Sequence, residues 1–387
     1  MKRGKTGSYE EKSIAGERVS AFIPLPLPPN PPLELTSQRQ KLLERATLAL
    51  GRLDSITLLL PDANLFLYSY VRREAVLSSQ IEGTQSSLAQ LLLFELEEMP
   101  GVPLNDVVEV SNYVAALEHG LNRLVEGFPL SNRLVREMHQ ILLSGGRGGE
   151  KFPGEFRRSQ NWIGGTRPGN AHFVPAPPER VEECMGVLER FLHDEGNPYS
   201  ALIKAALAHV QFETIHPFLD GNGRVGRLLI AFILHHDGLL TKPLLYLSLY
   251  FKQHRSEYYR LLDLVRTDGD WEAWIDFFLE GVEKTASNAV ETAKRLLSLF
   301  QQHERQIQKM GRRASTCLRV FQAFCERPLG NLNQICKTTG LSFPAASQAV
   351  DELIKITILQ ELTGQRRNRI FAYDQYLSIL SEGTELL

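Results

Sequence analysis

Cysteine is scarce in this chain of 387 residues: Cys184, Cys317, Cys325 and Cys336 are the only four, and no two form a CxxC pair. That spread points to reduced thiols, buried or partly buried, in a cytoplasmic protein. Long apolar runs are missing as well. No window holds the ~18 uninterrupted apolar residues of a membrane span, and the opening MKRGKTGSYEEKS lacks the apolar core of a secretory signal. The expected setting is therefore the cytoplasm, with no membrane partner. Net charge is nearly absent: 43 basic against 45 acidic residues leave −2, so any binding to nucleic acid or anionic lipid must come from a local patch. Internal repeats are absent too. What remains is an ordinary globular composition, and at ~100–200 residues per domain the length suggests two or three units.

Residues 1 to about 20 are polar and expected to be loose. AFIPLPLPPNPPLEL (21–35) has too many prolines for a helix or a central strand. It reads as an extended strap laid on the surface by Phe22, Ile23, Leu25 and Leu27, with recognition by a proline-binding partner as the alternative. From Thr36 the apolar spacing becomes three and four residues, the mark of amphipathic helices. Helices are predicted through TSQRQKLLERATLALGRLDSI, DANLFLYSYVRREAVLSSQIEG, SLAQLLLFELEE (capped by Thr84 or Ser86), VVEVSNYVAALEHGLNRL and LSNRLVREMHQILLSG.

Residues 145–180 break this rhythm with glycine and proline and read as an irregular flap carrying a β-hairpin. Helices resume at VEECMGVLERFLHDE, PYSALIKAALAHVQFETI, RVGRLLIAFILHHDG and SEYYRLLDLVRTD, and from DWEAW through QIQKM. In the tail, TCLRVFQAFCERP precedes LNQICKTTG and SFPAASQAVDELIKI, which read as a helix-turn-helix. ILQELTGQRRNRIFAYDQYLSIL then reads as two strands about a basic turn, the wing of a winged helix.

The densest chemistry lies in TIHPFLDGNGRVGR (214–227). Pro217 should end one helix near Ile215 or His216, and another should begin near Gly223 or Arg224. Gly221 and Gly223 permit a tight turn whose N–H groups converge as an anion nest at that helix start. Arg224 and Arg227, three apart, project on one side and can grip phosphates. Asp220 can hold a hydrated Mg²⁺, Asn222 offers an amide donor to phosphate oxygen, and His216 can accept a proton near neutral pH. Phe218 is an apolar anchor. Together these parts describe phosphoryl or nucleotidyl transfer to a hydroxyl.

HPFLDGNGRVGR follows His-x-Phe-x-(Asp/Glu)-Gly-Asn-Gly-Arg-x-x-Arg without exception, and on these residues the chain resembles the Fic family over roughly residues 40–290. The resemblance implies a mainly α fold: a Fic helical bundle with a β-hairpin flap, plus a C-terminal winged helix-turn-helix domain. It implies a protein adenylyltransferase that moves AMP from ATP to a Ser, Thr or Tyr hydroxyl of a target protein, or of itself, releasing pyrophosphate. On that reading His216 is the general base and Asp220 holds Mg²⁺. The turn Gly221–Gly223 with Asn222 cradles the α- and β-phosphates, assisted by Arg224, and Arg227 engages the γ-phosphate. Val225 and Gly226 lie along the same ATP-binding turn.

Ser78 and Glu82, four apart in SSQIEG, would alone be an ordinary helix end. Beside the signature they match the family's inhibitory pattern (Ser/Thr)-x-x-x-Glu-(Gly/Asn), completed by Gly83. Glu82 would then pair with Arg227 and deny it to ATP. In the flap the resemblance makes Ile163 the clamp on a target's backbone and lets Gly164 approach the nucleotide, while Trp162 belongs either to that surface or to the core. Tyr258 and Tyr259 match a nucleoside-facing pair, although neighbours on a helix cannot both face one ligand.

Arg366, Arg367 and Arg369 at the wing tip sit where DNA phosphate contacts are typical; docking to protein, or a homodimer, is equally open. Three functions remain: an AMP-transferase whose tail recruits partners, a DNA-binding regulator using the Fic domain as nucleotide sensor, and a two-way enzyme that also removes AMP. The unsubstituted signature favours the first. The expected domains are an arm with its strap (1–35), a helical region with the inhibitory helix (36–110), the catalytic core (111–290), and a connecting helix with the winged helix (291–387).

Overall fold

The computed structural model describes residues 2–14, 16–59, 63–96, 104–145, 148–365 and 367–385. The chain begins with strands β1 (Gly7–Ile14) and β2 (Glu17–Pro24), then helices α1 (Ser37–Leu59), α2 (Ala63–Ile81), α3 (Leu88–Phe94), α4 (Leu104–Val125) and α5 (Asn132–Leu142). After an irregular stretch come α6 (Pro178–Leu192), α7 (Ala201–Ile215), α8 (Asn222–His236), α9 (Ser248–Gln253), α10 (Arg255–Asp268) and α11 (Trp271–Gln308). The C-terminal unit contains α12 (Ala314–Glu326), β3 (Leu329–Asn331), α13 (Leu332–Thr339), α14 (Phe343–Lys355), β4 (Gln360–Glu361), β5 (Ile370–Ala372) and α15 (Asp374–Ser381). The fold is mainly helical, as the apolar spacing predicted.

Helices α7 and α8 form the centre. Both are buried on nearly every face, α7 from Ala205 to Ile215 and α8 from Arg224 to Leu234, as a helix that is apolar all round requires. They pack on each other, with α4, α5, α6, α10 and α11 around them, and α1 lies along α11. The long α11 runs from this bundle into the C-terminal unit, whose three strands pair antiparallel in the order β3-β5-β4. One apolar cluster extends from Leu33 to Leu380 and joins the two units. The loop between α7 and α8 therefore stands on two helices that are buried on nearly every face.

Several expectations need correction. Residues 7–14 and 17–24 are not loose: β1 and β2 pair antiparallel. Its inner strand buries Val19, Ala21 and Phe22, while the polar β1 is an edge and hid the pattern. The strap is anchored by Phe22 and Leu33, with Ile23 and Leu27 partly buried, whereas Leu25 is 56% exposed. Helix α3 is capped by Ser87, not Thr84 or Ser86. Ser87 Oγ accepts from Gln90 N–H at 3.2 Å and Gln90 Oε1 from Ser87 N–H at 2.9 Å, a reciprocal capping box. Helix α9 and strand β3 were not anticipated, and the end of the second expected wing strand is the helix α15. The flap hairpin closes through one antiparallel bridge, Ile163 to Phe173. Among the described residues no helix is long and apolar enough to cross a membrane, and all four thiols are free.

Candidate active site

Helix α7 stops at Pro217, and its C-cap His216 takes the left-handed conformation (φ 51°, ψ 62°). A non-glycine residue held there is strained and needs support. The buried Arg157 supplies it. Its N–H donates to Pro217 O at 2.9 Å, its Nε to His216 O at 2.8 Å, and its Nη2 to Ile215 O at 3.3 Å and to Ala176 O. Arg266 on α10 braces the same helix end through Thr214 Oγ1 (3.2 Å) and Glu213 O (3.4 Å). Burial, reinforced by Arg157 and Arg266, pushes the His216 imidazole down to about 3. The ring is therefore uncharged at neutral pH, and its Nδ1 is enclosed without a hydrogen-bond partner.

The loop that follows is held from inside. Phe218 is fully buried and stacks on His139, with ring centroids 3.7 Å apart and planes 6° apart. His139 Nδ1 accepts from Gly154 N–H at 2.8 Å, so its Nε2–H donates to Asp220 O at 3.0 Å. Asn222 has a bracing role in this loop. Its Oδ1 accepts from Phe218 N–H and its Nδ2 donates to Phe218 O, both at 2.9 Å. The amide thus cross-braces the loop, with its oxygen and one of its two N–H donors spent on Phe218. Gly221, at φ +76°, is the N-cap of α8, which starts one or two residues earlier than expected.

Arg224 and Arg227 leave the first turns of α8 but reach different helices. Arg224 Nη1 meets Glu109 Oε2 of α4 at 3.2 Å, and its Nη2 lies 3.5 Å from Asp220 Oδ1. Arg227 Nε donates to Ser78 Oγ at 2.8 Å, and its Nη2 to Ser78 O at 2.9 Å and to Glu82 Oε1 at 2.8 Å. Glu82 lies in the turn just beyond α2, followed by Gly83 at φ +99°. Burial alone would push Glu82 up, but Arg227, Arg224 and His216 outweigh it and hold the carboxyl below its usual range. The same contact raises Arg227 against its own burial. A methyl group at Gly223 would meet Glu82 Oε1 at 2.2 Å, so that glycine admits the carboxylate over the helix N-terminus.

Two buried carboxyls escaped the sequence reading. Glu109 was visible only as a lone charge inside VVEVS. Glu213, within FETI, approaches Gly226 so closely that a methyl there would lie 2.4 Å from its Oε1. Burial, only partly opposed by Arg227, pushes Glu213 up to about 7. Asp220 Oδ1 accepts from Gly221 N–H at 2.6 Å, and its side chain is partly exposed. No cluster of three or more His, Cys, Asp or Glu suited to a metal occurs among the described residues. Mg²⁺ is often held by one or two carboxylates plus substrate phosphates and water, and a lone Asp220 fits that demand.

The remaining residues divide. Asn161 Nδ2 donates to Phe218 O at 2.9 Å, tying the flap to the motif loop. Trp162 is 37% exposed and so lies outside the core, and Ile163 forms the bridge to Phe173. Gly164 (φ +68°) is required by the hairpin itself, since a methyl there would come within 2.9 Å of His172 Cβ. Tyr258 is buried. Its hydroxyl donates to His209 Nε2 at 2.8 Å, and His209 Nδ1 donates to Gly226 O at 2.9 Å, so it underpins α8. Tyr259 is 39% exposed, beside Arg255. Of the wing-tip arginines, Arg366 lies outside the described residues. Arg369 is turned inward onto Glu361 (2.7 Å) and Asp351 (3.3 Å), which removes it from a phosphate-binding surface. Arg367 is exposed.

Residues 40–122 match the family model described as Fic/DOC family N-terminal, and residues 129–234 the one described as Fic/DOC family. The chain is 32% identical over 211 residues to the protein adenylyltransferase Fic of Drosophila grimshawi, covering 53% of this chain and 40% of that protein. The Drosophila melanogaster protein of the same name is also 32% identical, with 39% of it covered. The chain thus spans about two fifths of the length of these curated relatives. A Fic family protein from Desulfovibrio desulfuricans G20 superposes with a TM-score of 0.58 at 20% identity, covering 88% of this chain and 97% of that one. Fic-1 (residues 134–508) from C. elegans gives 0.52 at 24%, covering 67% and 73%. At such identities these two structures establish the fold.

Proposed function

For a chain that belongs to the Fic/DOC family, we propose that the function is protein adenylylation: transfer of AMP from ATP to a hydroxyl of a protein, with pyrophosphate released. The carrying observation is the convergence of His216, Asp220, the Gly221–Gly223 turn and Arg227 on one loop and one helix start, where the unpaired N–H groups of α8 favour an anion. The acceptor oxygen attacks the α-phosphorus while its bond to the bridging oxygen breaks, and pyrophosphate carries away the electron pair. The hydroxyl proton goes to His216. That ring is neutral in the absence of nucleotide, and triphosphate charge nearby raises its basicity toward the working pH. Asp220 would hold Mg²⁺, which when bound neutralises phosphate charge. The α8 N-terminus binds phosphate, Asn222 and Arg157 keep the loop in shape, and Arg227 awaits the γ-phosphate.

Glu82 supports a second part of the reading, autoinhibition. Its carboxylate occupies Arg227 and stands over Gly223, where a phosphate would lie. Basal transfer is then low until Glu82 leaves. The C-terminal unit is read as a winged-helix module that docks protein, because the wing's Arg369 is spent on Glu361 and Asp351, and Arg313 and Lys355 both meet Glu352. The experiment incubates the Glu82→Gly variant with a cell lysate and ATP labelled at the α- or the γ-phosphate. Protein labelling from α-labelled ATP alone is expected, and labelling from γ-labelled ATP would make the protein a kinase instead.

A further inference from the structure

The hairpin β1–β2 lies outside both family-matched segments, yet it does not hang free. It is fastened to the flap at three levels. The Glu17 carboxylate accepts from Arg167 and, at 2.6 Å, from the N–H of Gly169, both in the flap's returning turn. Gly169 is small for this reason, since a methyl there would lie 2.5 Å from Glu17 Oε2. Further along, Phe22 N–H donates to Val174 O at 2.9 Å, and the Phe22 and Phe173 rings are 5.9 Å apart. Val19, Ala21 and Val174 form an apolar cluster separate from the main core, with Ile14 and Ala171 against it. Lys12 adds an ion pair to Glu179 at the start of α6.

The opposite side of the same segment meets the catalytic bundle. The Arg266 guanidinium lies over the Phe173 ring at 4.0 Å, and Arg266 also holds the end of α7 beside His216. His172 pairs with Asp263 of the same helix, α10. Ile163 exchanges hydrogen bonds with Phe173 at 2.8 and 3.1 Å, so its place is set by the strand between hairpin and bundle. A flap closed by a single bridge has little stiffness of its own, because an isolated two-stranded hairpin is marginal in water.

We propose that the N-terminal hairpin is a positioning element for the target-binding flap, with Glu17 as the positioning residue that holds Arg167 and Gly169. This rests on the adenylyltransferase reading above. The hairpin supplies the second wall that a one-bridge flap lacks, and so sets the distance between Ile163 and His216. A target segment adding to the flap by strand pairing then presents its hydroxyl in register. Nucleotide binding does not use the hairpin, so two reactions of one enzyme should separate. In transfer to protein the acceptor oxygen must be placed by the flap. In transfer to water, a water oxygen takes the α-phosphorus, pyrophosphate leaves, the proton passes to solvent, and free AMP results with no flap needed.

The test uses the full chain in the Glu82→Gly background, with a cell lysate as acceptor and α-labelled ATP as probe. Glu17→Ala should lower protein labelling about tenfold while release of free AMP and the KM for ATP stay within about twofold, the scale of a misplaced acceptor. Glu17→Gln keeps an acceptor for Gly169 N–H and should recover most of the labelling. Arg167→Ala leaves the Gly169 N–H bond to Glu17 in place, so it should give only part of the loss and add nothing to that of Glu17→Ala. Amide exchange across residues 163–173 should rise in the alanine variants alone. Equal loss of labelling and of AMP release, or no loss of either, overturns the positioning role. No protein labelling by the Glu82→Gly parent refutes the adenylyltransferase reading itself, and the hairpin's role with it.

Discussion

Replacing Glu82 by glycine is the sharpest perturbation the structure offers, because the contact it removes can be separated from those that stay. Arg227 keeps its bonds to Ser78 Oγ and Ser78 O at 2.8 and 2.9 Å, so the guanidinium remains aimed along the first turns of α8. Only the 2.8 Å bond from Nη2 to Glu82 Oε1 is lost. A hydrogen bond to a charged partner contributes ~1.5–3 kcal/mol, and a carboxylate 36% open to water belongs at the lower end, about 1.5 kcal/mol. ATP must displace that contact to reach Arg227, so its removal should raise kcat/KM for AMP transfer at least about tenfold. Relief of repulsion between the carboxylate and the incoming phosphates adds to this figure. Glu82→Gln keeps the shape without the charge and should give an intermediate gain.

The pH dependence of the same contact has a definite sign. Arg227 holds the Glu82 carboxyl below its usual range, so the pair is complete above that range and weakens only as pH falls through the depressed value. The ratio of Glu82→Gly to wild-type rate should therefore be flat from pH 6 to pH 9. The assay is labelling from α-labelled ATP at several nucleotide concentrations, with self-modification and a lysate as acceptors. A gain below about twofold with ATP binding intact, or a ratio that changes steeply across neutral pH, refutes the competition between Glu82 and phosphate for Arg227.

His216→Ala in the Glu82→Gly background should lower transfer by ~10²–10⁴-fold and leave ATP affinity nearly unchanged by calorimetry, as expected for a proton acceptor. Asn222→Ala removes both bonds to Phe218. It should cost about 1–3 kcal/mol in stability by denaturant melts, and transfer should fall with it because His216 and the phosphate nest lose their relative placement. Glu213→Gln tests a buried carboxyl. The native pKa of about 7 lies above the unfolded value, so Glu213 weakens the fold progressively as pH rises through that window. Glutamine cannot ionise, and the Tm of the variant relative to wild type should increase by roughly 2–4 °C between pH 5 and pH 8.

The helical body was legible because its signal is local: apolar residues at three- and four-residue spacing need no knowledge of what they pack against. The HPFLDGNGRVGR turn was legible for a similar reason, since its chemical groups are contiguous. The hairpin β1–β2 was not. Its outer strand GSYEEKSI is polar, and the surface that its inner strand covers includes Val174, far along the chain. Arg157 carried no signal at all within EFRRSQ, where two adjacent arginines look alike, yet it is buried on the backbone of His216 while Arg158 meets only Glu155 at the surface.

The distinction matters most for the motif itself. Sequence names the groups that a reaction needs, but not which of their atoms are left free once the chain has folded. Asn222 has the right donor at the right position, yet its oxygen and one of its two N–H groups are spent on Phe218. Tyr258 has a ring and a hydroxyl suited to a nucleoside, and both are buried beneath α8 by way of His209. Arg224 and Arg227 appear equivalent on a helical wheel. One is neutralised by Glu109, a partner with little exposure, and the other by Glu82, which water can reach from a turn at the end of α2. Breaking the first pair would strand charges on both sides, whereas in the second the departing Glu82 carboxylate can be hydrated and the buried Arg227 needs only a replacement anion. On the proposed function, that difference would make Arg224 part of the scaffold and Arg227 the arginine that changes partners.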